Sequence, residues 1–166
     1  MDLSFDPGRV FHWGYVVPNM ERAMSAWQKA GAVVAVPPAA DPIQNVACAL
    51  LVYKGAVPVE LVAPLPEGQN PLESRLRKGG GLDHVCLFTD DLDADLETLL
   101  KEGAMTVVEP CYGAVFDRRL AFVVTRMGLT VELMTRAAVG RAASDPLARF
   151  LAAGEQQGLP GLNRPF

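Results

Sequence analysis

The chain has 166 residues, 50% hydrophobic and 20% charged, and its 15 basic and 19 acidic side chains leave a formal charge of 15 − 19 = −4. That length accommodates one domain, or two very small ones, with a real core. The composition, at a mean hydropathy of +0.17, excludes a disordered chain and a polytopic membrane protein, and a mild negative charge without basic clusters argues against nucleic-acid or membrane partners.

The N-terminus carries Asp2 and Asp6 where a secretory signal has a basic start and an apolar run, so the expected location is the cytoplasm. A first strand, Val10 to Val17, ends at Pro18-Asn19, and Asn19 suits the N-cap of the helix that follows. Met20, Ala23, Met24 and Trp27 recur at helical spacing before Gly31 stops the helix. Three strands follow: Ala32 to Val36, broken by Pro37-Pro38; Val46 to Tyr53; and Val57 to Val62 after a turn at Lys54-Gly55.

A Pro/Gly-rich linker, 63–81, carries a short helix around Leu72 to Leu76 and ends in Gly79-Gly80-Gly81, read as a flexible joint. His84 to Thr89 is the next strand, and Asp90 or Asp91 caps a helix bearing Leu92, Leu96, Leu99 and Leu100 up to Gly103. Strands near Met105 to Val108, Leu120 to Thr125 and Leu129 to Met134 complete the series. Ser144-Asp145-Pro146 starts a terminal helix over Leu147 to Ala153, and GLPGLNRPF reads as an extended tail.

This order is a duplication. An offset of 72 lays residues 11–63 on 83–135 without a gap and with 11 identities, where chance gives roughly 3 to 4 at ordinary residue frequencies. His12 falls on His84, and Val59-Glu60-Leu61 on Val131-Glu132-Leu133. The expected architecture is therefore α+β, with two tandem βαβββ modules, 9–63 and 82–136. The linker, 64–81, and the tail, 137–166, have no counterpart, and the whole makes a single structural domain.

Strand side chains alternate between faces. His12 shares a face with Gly14 and Val16, His84 with Cys86 and Phe88, Glu60 with Val62, and Glu132 with Thr130 and Met134. The opposite faces are apolar and suit the amphipathic helices. Two modules paired about a pseudo-two-fold axis bring two imidazoles and two carboxylates together, a mixed N/O set suited to Zn, Ni, Co, Fe or Mn. Gly14 and Cys86 are small and leave room beside each histidine, while Val16, Phe88 and Met134 give the pocket apolar walls. Cys48, Cys86 and Cys111 are odd in number and lack a CxxC, so they read as reduced thiols. Of these only Cys86 is on the face of the site.

The stretches FHWGYVVPNMERA, VELVAPLPEGQNPLESRL, GGGLDHVCLFTDDLDA and AFVVTRMGLTVELM resemble the vicinal oxygen chelate superfamily, the glyoxalase-like paired βαβββ proteins. Within it the chain is most similar to the methylmalonyl-CoA epimerase-like branch. The resemblance implies a divalent metal held by His12, Glu60, His84 and Glu132, chelation of substrate oxygens, and removal and return of an α-proton by Glu60 or Glu132. It also implies that the two modules form a cupped mixed sheet with helices on the outer face, and that the chain forms a homodimer. Two departures point away from a CoA thioester, and the apolar neighbours Val16, Phe88 and Met134 point instead to a partly hydrophobic small molecule. The third strand, 46–52, lacks the extra acid that some epimerases carry there, and Thr125-Arg126-Met127-Gly128 replaces an HPK-like turn. Arg118, Arg119 and Arg126 read as solvated surface residues, with pairing to a substrate carboxylate as the alternative.

The leading functional reading is a metal-dependent isomerase or lyase of epimerase or glyoxalase type. The alternatives are a non-heme Fe(II) dioxygenase of the same fold, built on a 2-His-1-carboxylate set, and a non-catalytic small-molecule binding or resistance protein.

Overall fold

The computed structural model describes residues 7–53, 55–142 and 145–157. Asp2, Asp6, Lys54, Ser144 and the GLPGLNRPF tail lie outside the described residues. In chain order the elements are β1 (Val10–Val16), α1 (Met20–Lys29), β2 (Val33–Asp41), β3 (Val46–Val52) and β4 (Val59–Pro64). There follow α2 (Glu73–Arg77), β5 (Gly81–Thr89), α3 (Leu92–Lys101), β6 (Met105–Gly113), β7 (Arg118–Val124), β8 (Thr130–Thr135) and α4 (Pro146–Gln157).

All eight strands form one mixed sheet in the order β2-β3-β4-β1-β5-β8-β7-β6. β1 and β5 pair antiparallel at its centre, each flanked by a parallel partner, β4 and β8. The offset of 72 holds for whole elements: α1 maps onto α3, β2 onto β6 and β3 onto β7. It extends to backbone conformation, since Asn45 (φ 57°) and Asp117 (φ 55°) are 72 residues apart. Both stand in hairpin turns that need a left-handed residue, which Asn and Asp tolerate best after Gly.

Helices α1 and α3 cover the convex face. Asn19 accepts the N–H of Arg22 at the start of α1, and Asp91, rather than Asp90, accepts that of Ala94 at the start of α3. Met20, Ala23, Met24 and Trp27 of α1 pack on Leu51 and Leu61, and Leu92, Leu96 and Leu99 of α3 pack on Leu87, Val131 and Leu133. Leu100, which lies off that stripe, is exposed.

Three expectations for the elements change. β2 does not stop at Pro37-Pro38 but runs to Asp41, and β6 runs past Pro110 to Gly113. Both are edge strands, where a missing N–H removes no ladder bond, and the pairing register shifts beside the prolines. The Gly79-Gly80-Gly81 run is a defined turn rather than a loose joint. All three glycines have positive φ, and a Cβ on Gly80 would stand 2.6 Å from the Val16 carbonyl oxygen. Arg118 is buried, ion-paired to Asp145 at 2.9 Å, and is no surface residue.

Candidate metal centre

The concave face of the sheet holds a third apolar cluster, which includes Phe11, Val16, Leu50, Phe88, Phe116, Leu120 and Met134. Strict alternation would place Phe11 outside. The register shift between Val10 and His12 inserts one extra residue against β5, and such a bulge re-aims side chains. Phe11 stacks on Phe88 at 4.4 Å and meets the His12 ring edge-on at 4.8 Å.

The centre of the sheet is built from two crossed rows. His12 stands beside Cys86, and Cys86 beside Glu132; His84 stands beside Gly14, and Gly14 beside Glu60. Each small residue thus lies between the histidine of the other half of the chain and the glutamate of its own half. At Gly14 the smallness is obligatory, because a Cβ would lie 2.0–2.3 Å from the His84 ring.

His12, Glu60, His84 and Glu132 are all buried, and one donor atom from each lies within 4.8 Å of the others. His12 Nε2 is 3.3 Å from Glu60 and 3.1 Å from Glu132; His84 Nε2 is 3.4 Å and 3.5 Å from the same carboxylates. Even so, both His12 ring nitrogens, His84 Nε2 and Glu132 Oε2 lack a hydrogen-bond partner among the described residues. An unsatisfied buried polar atom costs about 1–3 kcal/mol, and His12 Nε2, His84 Nε2 and Glu132 Oε2 meet in an arrangement that a central cation would satisfy. Ligands about 2.0–2.2 Å from a common centre stand roughly 3–3.5 Å apart, which is the observed His–Glu spacing.

The charges agree with this. Burial alone would lower the pKa of His12, but Glu60 and Glu132 outweigh it and hold it up. His84 is raised well above its ordinary value: burial opposes, while Asp83, Glu132 and Glu60 prevail. Burial would raise both carboxyls, yet the imidazoles hold Glu60 and Glu132 below the usual carboxylate range. Ionised glutamates beside imidazole are the donor state that a divalent cation takes.

A cavity of about 970 Å³ opens over the cluster, with Glu60, His84 and Glu132 on its wall and apolar neighbours Val16, Val46, Val62, Leu120 and Phe122. Among the residues expected to line the substrate pocket, Val16 does so, whereas Gly14, Cys86, Phe88 and Met134 do not. The last three are packed beneath the site, Phe88 under Phe11 and Arg136. Cys86 is not the only thiol at the site. Cys48 lines the cavity; burial, followed by the nearby Glu60 charge, pushes its thiol well up. The strand alternation of Cys48 with Leu50 gave that signal. The linker residues Leu72 and Arg75, from α2, and Val108 and Cys111, from β6, also line the cavity. Nothing local marked them, since they reach it only through the curl of the sheet.

The fold and this buried His₂Glu₂ cluster define a vicinal oxygen chelate protein. The chain belongs to the glyoxalase/bleomycin resistance protein/dioxygenase superfamily, whose family model matches residues 11–122. It is 27% identical over 106 residues to the mitochondrial methylmalonyl-CoA epimerase of Dictyostelium discoideum; the match takes in 62% of this chain and 61% of that protein. The chain thus spans about three-fifths of the length of that curated relative. Among solved structures, the Mycobacterium tuberculosis methylmalonyl-CoA epimerase aligns with a TM-score of 0.66 at 25% identity, over 77% of this chain and 87% of that one. A variant of the Streptomyces coelicolor methylmalonyl-CoA epimerase, in complex with 2-nitronate-propionyl-CoA, aligns at 0.67 and 23% identity, over 78% and 98%. No described helix is long and apolar enough to cross a membrane.

Proposed function

We propose that the chain is a divalent-metal-dependent isomerase of epimerase type, which moves a proton at the carbon next to a chelated carbonyl or carboxylate. The observation that carries this reading is the buried His12, Glu60, His84 and Glu132 cluster at the wall of the cavity. When bound there, a divalent ion supplies Lewis-acid polarisation of substrate oxygens, which acidifies the neighbouring C–H. Of the four donors, Glu60, His84 and Glu132 reach the cavity wall, while His12 is fully enclosed behind them. Glu60 or Glu132 takes the proton, the C–H electron pair delocalises into the adjacent carbonyl, and a proton exchangeable with solvent is delivered to the opposite face of the carbon. The apolar walls exclude water and fit a small, partly hydrophobic substrate; Arg75 and the exposed Lys78 give one side of the cavity positive charge.

The epimerase relatives support the isomerase reading over the alternatives. A second carboxylate among the donors leaves fewer open positions than the 2-His-1-carboxylate set of an Fe(II) oxygenase. Retention of four convergent donors also goes beyond what a metal-free binding protein needs.

The test is metal analysis of protein purified without a chelating column. The expected result is about one divalent ion per chain, lost in His84→Ala and Glu132→Ala, with solvent deuterium entering 2-oxo or acyl acids at the α-carbon. A metal-free wild type that still binds such ligands would overturn the reading.

A further inference from the structure

The two histidines are equivalent in the duplication but not in their surroundings. His84 Nδ1 lies 3.2 Å from Asp83 Oδ2. A carboxylate can only accept, so Nδ1 carries a hydrogen, and Nε2, 3.4–3.5 Å from Glu60 and Glu132, is the nitrogen that would face a bound ion. The position 72 residues earlier is Phe11, and His12 Nδ1 has no hydrogen-bond partner among the described residues. Asp83 is itself placed from the linker: Arg75 of α2 stands 3.7 Å from its other oxygen and anchors to the Leu82 carbonyl. Gly81 permits that approach, for a Cβ there would come within 3.3 Å of Arg75 Nη2.

We infer that Asp83 is a positioning residue for the metal centre: it holds the Nδ1–H and ring orientation of His84 by a hydrogen bond, whereas the Nδ1 side of the equivalent His12 is held by packing alone. The inference rests on the proposed metal centre. A carboxylate behind a ligating histidine orients the ring and raises its basicity, and its loss costs about 10–100-fold in metal affinity. The duplicated pair therefore works asymmetrically, with its support drawn from the linker that the duplication does not share.

Zinc affinity of the full chain, measured by competition with a chromophoric chelator, tests this. Asp83→Ala is expected to weaken zinc binding by about 10–100-fold, while the melting temperature of the zinc-free protein stays at the wild-type value. Asp83→Asn keeps a carbonyl oxygen to accept the Nδ1–H and is expected to bind more tightly than Asp83→Ala. In the zinc-loaded wild type the His84 Nδ1–H gives a downfield proton resonance that Asp83→Ala shifts or loses, while that of His12 is unmoved. If Asp83→Ala binds zinc as tightly as the wild type and leaves the His84 resonance in place, the inference is overturned and the metal centre stands. A wild type that takes up no zinc or other divalent ion overturns both.

Discussion

Gly14 shows how much chemistry one missing atom group controls. A methyl there would occupy the space of the His84 ring, so Gly14→Ala is expected to displace the imidazole, lower stability by about 1–3 kcal/mol, and reduce bound metal below one ion per chain. Metal analysis alongside thermal melting checks both. Glu60→Gln and Glu132→Gln separate the roles of the two carboxylates: the variant that removes the base is expected to lose about 10²–10⁴-fold in kcat, the other to lose metal affinity first. A third residue sets acid behaviour. Asp117 is held below the usual carboxylate range: burial opposes, but the Arg141 N–H, the Tyr112 hydroxyl and the Gly140 N–H prevail. A depressed carboxyl contributes stability that is complete above its unfolded value, about 3.9, and is lost as pH falls through the folded one. Asp117→Asn, which keeps the left-handed turn, is expected to melt lower than the wild type at neutral pH, with the gap closing below about pH 4. A constant gap down to pH 3 would contradict this assignment.

At the scale of elements, the central strands carry the site because a parallel neighbour brackets each one. β4 beside β1 and β8 beside β5 bring Glu60 and Glu132 within one strand spacing of Gly14 and Cys86. The turn from α2 into β5 sets how closely the linker approaches β1. Gly80→Ala would combine a positive φ of 70° with a 2.6 Å contact to the Val16 carbonyl oxygen, and a cost of about 1–3 kcal/mol is expected in urea denaturation. Most elements were legible beforehand. Asn19, Gly31, Asp91 and Gly103 punctuate helices whose apolar spacing is regular, and His and Glu positions follow from alternation. Strand ends were less legible, because proline stops a strand only where its N–H is needed for pairing. Whether β2 and β6 lie at the edge of the sheet is not a local property. The Phe11 bulge was equally hidden, since its cause is the register against β5, 70 or more residues away.

For the molecule as a whole, the curl of the sheet is secured at its two ends. Asp41, at the end of β2, accepts the N–H groups of Ile43 and Gln44 and, from the other half of the chain, that of Ala114 just beyond β6. The two edge strands of the eight-stranded sheet therefore meet through one buried carboxylate. Leu147 of α4 enters the concave cluster, and Asp145 at the start of that helix pairs with the buried Arg118. Asp41→Ala leaves the Ala114 N–H without its acceptor and is expected to cost about 1–3 kcal/mol, read as a lower urea midpoint. A midpoint within error of the wild type would show that the edges hold together without it.

The sequence by itself determined the duplication, the helix and strand types, the two α+β modules, and the four residues whose equivalent positions pair. All of these follow from periodicity and from a fixed offset, which are local or pairwise properties of the chain. Only the tertiary structure decided what surrounds those four residues. It buried Gly14, Cys86, Phe88 and Met134 beneath the site, brought Cys48 and the linker to the cavity wall, and gave Asp83 to one histidine and not the other. The physical reason is that strand alternation assigns a side chain to a face, whereas exposure on that face depends on curvature, register shifts and the segments folded over it.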